Sequence, residues 1–173
     1  MSIDRRSLMT KLAPALIGAG GVLAVSDAAS AADVSIDEPG LRDGAEYIES
    51  IPDAALESEQ AFDAWKKENP VVVPRGAVGC GVAVTTAVVS NVFVASKVLK
   101  IRAAIKAAGS AKKFADLLIT GFKVAKAEGK SNQAAMEFAA KEASAVTGGE
   151  GLAAILELLS VAAVAEKCFG VDL

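Results

Sequence analysis

The sequence predicts an all-α protein whose C-terminal part, residues 75–173, is a compact bundle of about four helices. Apolar residues make up 53% of the 173 residues, but aromatic residues only 5%. Ala and Val supply most of the apolar residues, and a core built from such small side chains favours close contact between helices. Apolar residues also recur at helical spacing, and Gly and Ser separate these periodic stretches. Short joints of this kind are typical of a helix bundle.

Residues 1–32 are predicted to be an export signal peptide. Arg5 and Arg6 resemble the twin-arginine signature, because one spacer and two apolar residues follow them. A short glycine-containing apolar run and the small residues 28–32 come next, with a cleavage site expected before Asp33. The alternative is an ordinary helix with two incidental arginines. We therefore expect a secreted, extracellular protein, with the general secretory route as the alternative to the twin-arginine route.

Residues 33–74, the acidic segment, differ in composition from the rest of the chain. Residues 33–70 contain eleven acidic and three basic residues, a net charge of −8. Pro39, Gly40 and Pro52 interrupt this stretch, so we expect it to be largely disordered, with at most one local helix over residues 50–67. We interpret the acidic segment as a pro-segment or linker.

Four helices are predicted after the acidic segment. Ser110 and Ser131 have the residue type that caps helix N-termini, and Gly109 has the type that ends a helix. The last helix is apolar on nearly all sides, so we expect it to be buried at the centre of the bundle. The predicted ranges are residues 78–107, 110–129, 131–146 and 150–167.

An uncharged segment precedes a strongly basic one. Residues 76–96 contain no charged side chain, and 21 residues in a helix extend about 31 Å, the thickness of a bilayer core. Residues 97–130 then carry nine basic and two acidic residues, a net charge of +7. This order suits attraction to anionic lipid followed by insertion, although solvated lysines beside a buried helix are the simpler alternative. The nine basic residues, here called the basic cluster, are Lys97, Lys100, Arg102, Lys106, Lys112, Lys113, Lys123, Lys126 and Lys130.

The chain has two cysteines, Cys80 and Cys168, near the two ends of the predicted bundle. A pair of cysteines in an exported protein usually forms a disulfide. Closing a loop of about 88 residues would stabilise the fold by roughly 4–5 kcal/mol on the chain-entropy model. The alternative is two buried free thiols.

Four stretches carry a resemblance to a known family. They are Val78-Gly79-Cys80, residues 95–102 (ASKVLKIR), Lys112-Lys113 with Leu117-Leu118, and residues 165–169 (AEKCF). On these residues, the region 75–169 resembles the mature part of closticin-type bacteriocins, which are secreted antibacterial peptides cut from a longer precursor. The resemblance implies a processing protease that cuts near residues 69–75, a membrane target and no enzymatic activity. This chain departs from the family in its shorter pro-region and in the tail, residues 170–173.

The predicted function is therefore that of an antibacterial precursor. Its C-terminal domain would permeabilise anionic bacterial membranes, with self-association of several copies there, and the acidic segment would inhibit it by pairing with the basic cluster. The alternatives are a secreted protein-binding module and an immunity or accessory protein of such a system. The absence of histidine excludes histidine-dependent metal sites and triads, and we expect no catalytic residue, metal or cofactor. Nucleic acid is not an expected partner, because the chain is acidic and lacks interleaved aromatic residues.

Overall fold

The computed structural model describes residues 35–71, 79–90 and 93–172. These ranges contain eight α-helices, one 3₁₀ turn and no strand. The all-α prediction is confirmed, although the described part of the predicted bundle, residues 75–173, contains six helices instead of about four. The predicted signal peptide, with Arg5 and Arg6, lies outside the described residues.

The helices follow one another with short connections. In chain order they are α1 (Glu38–Ser50), α2 (Glu59–Glu68), α3 (Cys80–Val89), α4 (Ala95–Ala108), α5 (Ala111–Ala127), α6 (Asn132–Ala145), α7 (Leu152–Leu159) and α8 (Ala162–Phe169), with the 3₁₀ turn Asp53–Leu56 between α1 and α2. Ser110 and Ser131 cap α5 and α6 as predicted, each hydroxyl oxygen accepting a backbone N–H three residues later. Gly109 ends α4 with a φ of 92°, a conformation that residues with a side chain rarely adopt.

The acidic segment does not show the disorder predicted for it over residues 35–71. It forms α1, the 3₁₀ turn and α2, and Asp37 caps α1 by accepting the N–H of Gly40. Pro39, which was expected to interrupt the acidic segment, occupies the first turn of α1, where a helix tolerates proline well. Its apolar side chains belong to the same core as the later helices; the buried ones include Leu41, Ala45, Ile48, Ile51, Leu56 and Phe62.

The helix predicted over residues 78–107 is divided into α3 and α4. The Ser90 hydroxyl donates a hydrogen bond to the Ala87 carbonyl, 2.5 Å away, and so competes with the backbone bonds that would continue α3. Ser90 itself adopts an extended conformation. With ten residues, α3 is about 15 Å long, half the length predicted for the uncharged helix.

Helix α4 takes the central position that was predicted for the last helix. It contacts α1, α2, the 3₁₀ turn, α5, α6 and α7, and buries Val98, Ile101 and Ile105 completely. The last predicted helix is divided into α7 and α8 because Val161 adopts an extended conformation after Ser160. Ala153 on α7 and Ala162 and Ala163 on α8 are exposed, so neither helix is buried on all sides as predicted.

Glycines allow the helices to approach closely. A Cβ atom added to Gly44 of α1 would lie 2.8 Å from Cβ of Val84 in α3, and one added to Gly40 would lie 2.8 Å from Cβ of Cys80. Between α5 and α6, a Cβ atom on Gly121 would lie 2.9 Å from Cα of Ala139. Larger side chains at these positions would force the helices apart.

Candidate functional site

The basic cluster lies on α4, on α5 and in the turn that follows α5, but its members differ in their surroundings. Lys100, Lys112 and Lys113 are exposed and have no ion-pair partner among the described residues. Lys97 pairs with Glu157 of α7 at 2.6 Å, and Lys130 pairs with Glu128. The cluster is therefore a set of separate sites around the bundle rather than one free surface.

Lys126 is bound within its own part of the chain. Its Nζ donates to the Lys130 carbonyl at 3.1 Å and to Asn132 Oδ1 at 2.9 Å. This ammonium closes the turn between α5 and α6. Its position indicates a structural contribution in addition to its charge.

Three members of the basic cluster pair with the acidic segment. Lys123 Nζ lies 2.6 Å from Glu38 in the first turn of α1. Asp53 in the 3₁₀ turn pairs with Arg102 and lies 3.7 Å from Lys106. A reversed pair, Arg42 with Asp116 at 2.9 Å, crosses the same boundary, and that hydrogen bond raises the pKa of Arg42.

Arg102 differs from the other cations because it is buried, with 8% of its surface exposed. Its Nη1 atom binds Asp53, while its Nε atom has no hydrogen-bond partner among the described residues. A buried guanidinium depends on its carboxylate partner far more than an exposed one does. Residues 35–71 therefore supply the counter-charge of Arg102.

These ion pairs contribute less to the stability of the acidic segment's position than its buried apolar side chains do. Exposed pairs contribute about 0–1 kcal/mol each, and salt screens them. Burial of α1 and α2 side chains contributes more, at roughly 1.5–3 kcal/mol for each large apolar side chain. Phe62, Ile48 and Ile51 are almost completely buried.

Helix α3, a described part of the uncharged segment, is covered by α1 of the acidic segment. Helix α3 packs mainly against α1 on one side and α8 on another, and Ala83, Val84, Ala87 and Val88 are buried there. The backbone joins the two parts as well, because Ala95 N–H, at the start of α4, donates to Glu59 of α2 at 3.2 Å. Within the described ranges, no helix has both the length and the apolar character needed to cross a bilayer.

The predicted disulfide is present. Cys80 at the start of α3 and Cys168 near the end of α8 are bonded, with their Cα atoms 4.5 Å apart and both side chains fully buried. The bond closes 88 residues of chain and ties the uncharged segment to the C-terminus. Among the described residues, no cysteine is free and no group of three carboxylate or thiol side chains is arranged to hold a metal ion.

The structure also contains a groove that the sequence did not indicate. It has a volume of about 770 Å³ and lies between α6 and α7. Met136, Leu156 and Leu159 form its apolar surface, and Glu137 and Asp172 are among its polar residues. The groove depends on how the consecutive helices α6 and α7 pack together, which the pattern of either helix alone does not specify.

Comparison with family models, with curated proteins and with solved structures found no match for this chain.

Proposed function

We propose that this chain is the precursor of a secreted antibacterial protein, and that residues 35–71 keep its membrane-active part covered. One observation supports this proposal above the others: the acidic segment contacts the basic cluster and the uncharged helix α3 at the same time. The inhibition expected from charge alone thus gains a second element, which is direct coverage of apolar surface.

Removal of the acidic segment would first change the electrostatics. Lys123, Lys106 and Arg102 would lose the partners that they have in Glu38 and Asp53. They would join the exposed lysines of the basic cluster, and each basic residue near an anionic lipid surface contributes about 1 kcal/mol of attraction. The expected cut between Val71 and Arg75 falls mostly on residues outside the described ranges.

Removal would next uncover the side of α3 that packs on α1. Helix α3 alone is about 15 Å long and reaches only half-way across a bilayer core. We infer that the chain around Ser90 becomes helical in lipid, because lipid offers no water to satisfy open backbone groups. This change would restore the longer uncharged helix that residues 76–96 predict.

A pair of matched substitutions tests this mechanism. Thr86 in α3 and Thr120 in α5 are both exposed, so Asp at either position is compatible with the folded precursor. Val88 is unsuitable, because it is fully buried and Asp there would disrupt the core. The test uses residues 75–173 of each variant and vesicles of anionic or neutral lipid.

We expect the unsubstituted fragment to release dye from anionic vesicles, with less binding at 1 M salt, where the Debye length is about 3 Å. Thr86→Asp should bind the vesicles but release little dye, because a charge within the uncharged segment costs on the order of 3 kcal/mol of insertion. Thr120→Asp should bind and release dye nearly as the parent does. Equal dye release by both variants would exclude insertion of the uncharged segment.

A second candidate function, a secreted protein-binding module, is favoured by one observation. Residues 35–71 share a single core with α3–α8, as expected for a unit that is never separated. A binding module needs no removable segment, so the intact mass of the protein in culture medium separates the two functions. A chain that begins at Asp33 would support the module, and one that begins between Val71 and Arg75 would support the precursor.

A further inference from the structure

The beginning of the acidic segment lies directly on the disulfide. A carboxylate oxygen of Asp37, Oδ2, accepts the backbone N–H of Cys80 at 3.0 Å. The backbone N–H of Asp37 donates to the carbonyl oxygen of Cys168, also at 3.0 Å. One residue of the acidic segment thus binds the backbone of both cysteines, which are 88 residues apart in the chain.

The neighbours of Asp37 support this arrangement. Its second carboxylate oxygen, Oδ1, accepts the N–H of Gly40, so the side chain has a fixed position at the start of α1. Gly40 lies so close to Cys80 that an added Cβ atom would be 2.8 Å from the Cys80 Cβ atom. Ser35 approaches the other cysteine segment, since a Cβ atom on Gly170 would lie 3.3 Å from its carbonyl oxygen.

From these contacts we infer that residues 35–40 are an intramolecular template for the Cys80–Cys168 disulfide. Both hydrogen bonds use backbone groups of the cysteines, so they can form before the sulfur atoms are joined. They offset part of the entropy that is lost when two distant segments meet. The template therefore raises the effective concentration of one thiol near the other.

The reaction requires an oxidant, which we assign to the class of small disulfides such as glutathione disulfide. One cysteine thiolate attacks this disulfide and forms a mixed disulfide, releasing one glutathione thiolate. The second cysteine thiolate then attacks the cysteine sulfur of the mixed disulfide and releases the other glutathione. In total, two protein thiols lose two protons and two electrons, and one glutathione disulfide becomes two glutathione molecules.

If the proposed function is correct, the template affects the order in which the disulfide forms and the acidic segment is removed. A fragment that has lost residues 35–71 no longer has the template. The template therefore favours closing the disulfide before the acidic segment is removed. A reduced fragment that has lost the segment would close its disulfide less favourably.

The full chain, equilibrated in mixtures of glutathione and glutathione disulfide, provides the test. The measured quantity is the ratio of disulfide-bonded to reduced protein. It is obtained by alkylating the free thiols and measuring the masses of the products by mass spectrometry. Asp37→Ala removes the side-chain hydrogen bonds to the N–H groups of Cys80 and Gly40, while the backbone bond to Cys168 remains possible. We expect the ratio of disulfide-bonded to reduced protein to fall at least about tenfold. Glu46→Ala removes the same charge from an exposed position of α1 and should stay within about twofold of the parent.

Asp37→Asn extends the test, because it keeps one acceptor oxygen and nearly the same shape. We expect an intermediate ratio, and circular dichroism of the reduced variants reports whether α1 and the other helices remain folded. If Asp37→Ala unfolds when reduced, the comparison of Asp37→Asn with Glu46→Ala decides the matter. Ratios that equal the parent's for the Asp37 variants would overturn the template. No vesicle is involved, so failure here is distinct from failure of the proposed function.

Discussion

At the scale of single residues, the polar groups of the acidic segment are not all paired. Asp37 and Asp53 have well-defined partners across the boundary. Tyr47 of α1 does not: its hydroxyl group is buried beside Trp65 and has no hydrogen-bond partner among the described residues. Burial raises the pKa of Tyr47, because the charged phenolate is desolvated more than the neutral phenol.

Tyr47→Phe should leave the free energy of unfolding at pH 7 unchanged or raise it by up to about 1 kcal/mol, because the described residues offer the buried hydroxyl no partner that it could lose. The pH dependence has a definite sign. The folded pKa lies above the unfolded value of about 10, so the contribution of Tyr47 is complete below pH 10 and is lost as pH rises above it.

Urea denaturation of both proteins at pH 7 and pH 11 measures this difference. We expect the advantage of Tyr47→Phe over the parent to grow at pH 11, since phenylalanine has no proton to release. A loss of more than about 1 kcal/mol at pH 7 would mean that the hydroxyl has a partner after all.

At the scale of helices, the decisive contact is the close crossing of α1 and α3. Gly40 and Gly44 are one helical turn apart and face Cys80 and Val84. The absence of side chains at these two positions lets the acidic segment lie directly on the uncharged helix. The same use of small residues joins α5 to α6 at Gly121.

Gly44→Leu should separate α1 from α3, because the new side chain would occupy the space of Val84. We expect the full chain to lose about 1–3 kcal/mol of unfolding free energy. It should also bind the dye ANS more strongly, since separating α1 from α3 exposes apolar surface. Glu46→Leu places the same side chain on the exposed side of α1 and should have little effect on stability. Similar stability of the two variants would show that the α1–α3 contact does not hold the acidic segment.

Part of this fold could be predicted from the sequence. The caps Ser110 and Ser131, the stop at Gly109 and the pairing of the two cysteines all follow from local chemistry or from composition, and the structure contains each of them. Helix α1 was also readable, from Asp37 as a cap and the helical spacing of Leu41, Ala45 and Ile48. The high acidic content and the prolines outweighed that pattern and led to the wrong expectation of disorder.

The remainder depends on contacts between distant parts of the chain. Asp53 and Arg102 are 49 residues apart, and nothing near either residue specifies the other. The break after α3 depends on one serine hydroxyl and on the burial of Phe93, which competes with continuing the helix. The pairing of distant charges and the end of a helix depend here on tertiary packing, which cannot be predicted from the helical spacing of apolar residues.

At the scale of the whole molecule, the charges separate along the sequence and meet again in the fold. The net charge of −3 conceals an acidic segment of −8 and a basic stretch of +7. Ion pairs join these two regions at Glu38 and Asp53, while apolar side chains of both regions share one core. We propose that residues 35–71 hold the rest of the chain inactive by covering it.

Cutting alone is not expected to release activity, because the core contacts of α1 and α2 would keep the severed segment bound. The direct test therefore compares three samples at equal concentration on anionic vesicles: the uncut chain, the fragment 75–173 separated from the acidic segment in denaturant and refolded with its disulfide intact, and that fragment mixed with a separate 33–71 peptide.

Dye release is the measurement. We expect little release by the uncut chain, strong release by the separated fragment and suppression when the peptide is returned. The peptide should stay bound to the fragment even at high salt, because apolar burial holds it more strongly than the exposed ion pairs do. Equal release by the uncut chain and the separated fragment, or no release by either, would contradict the claim.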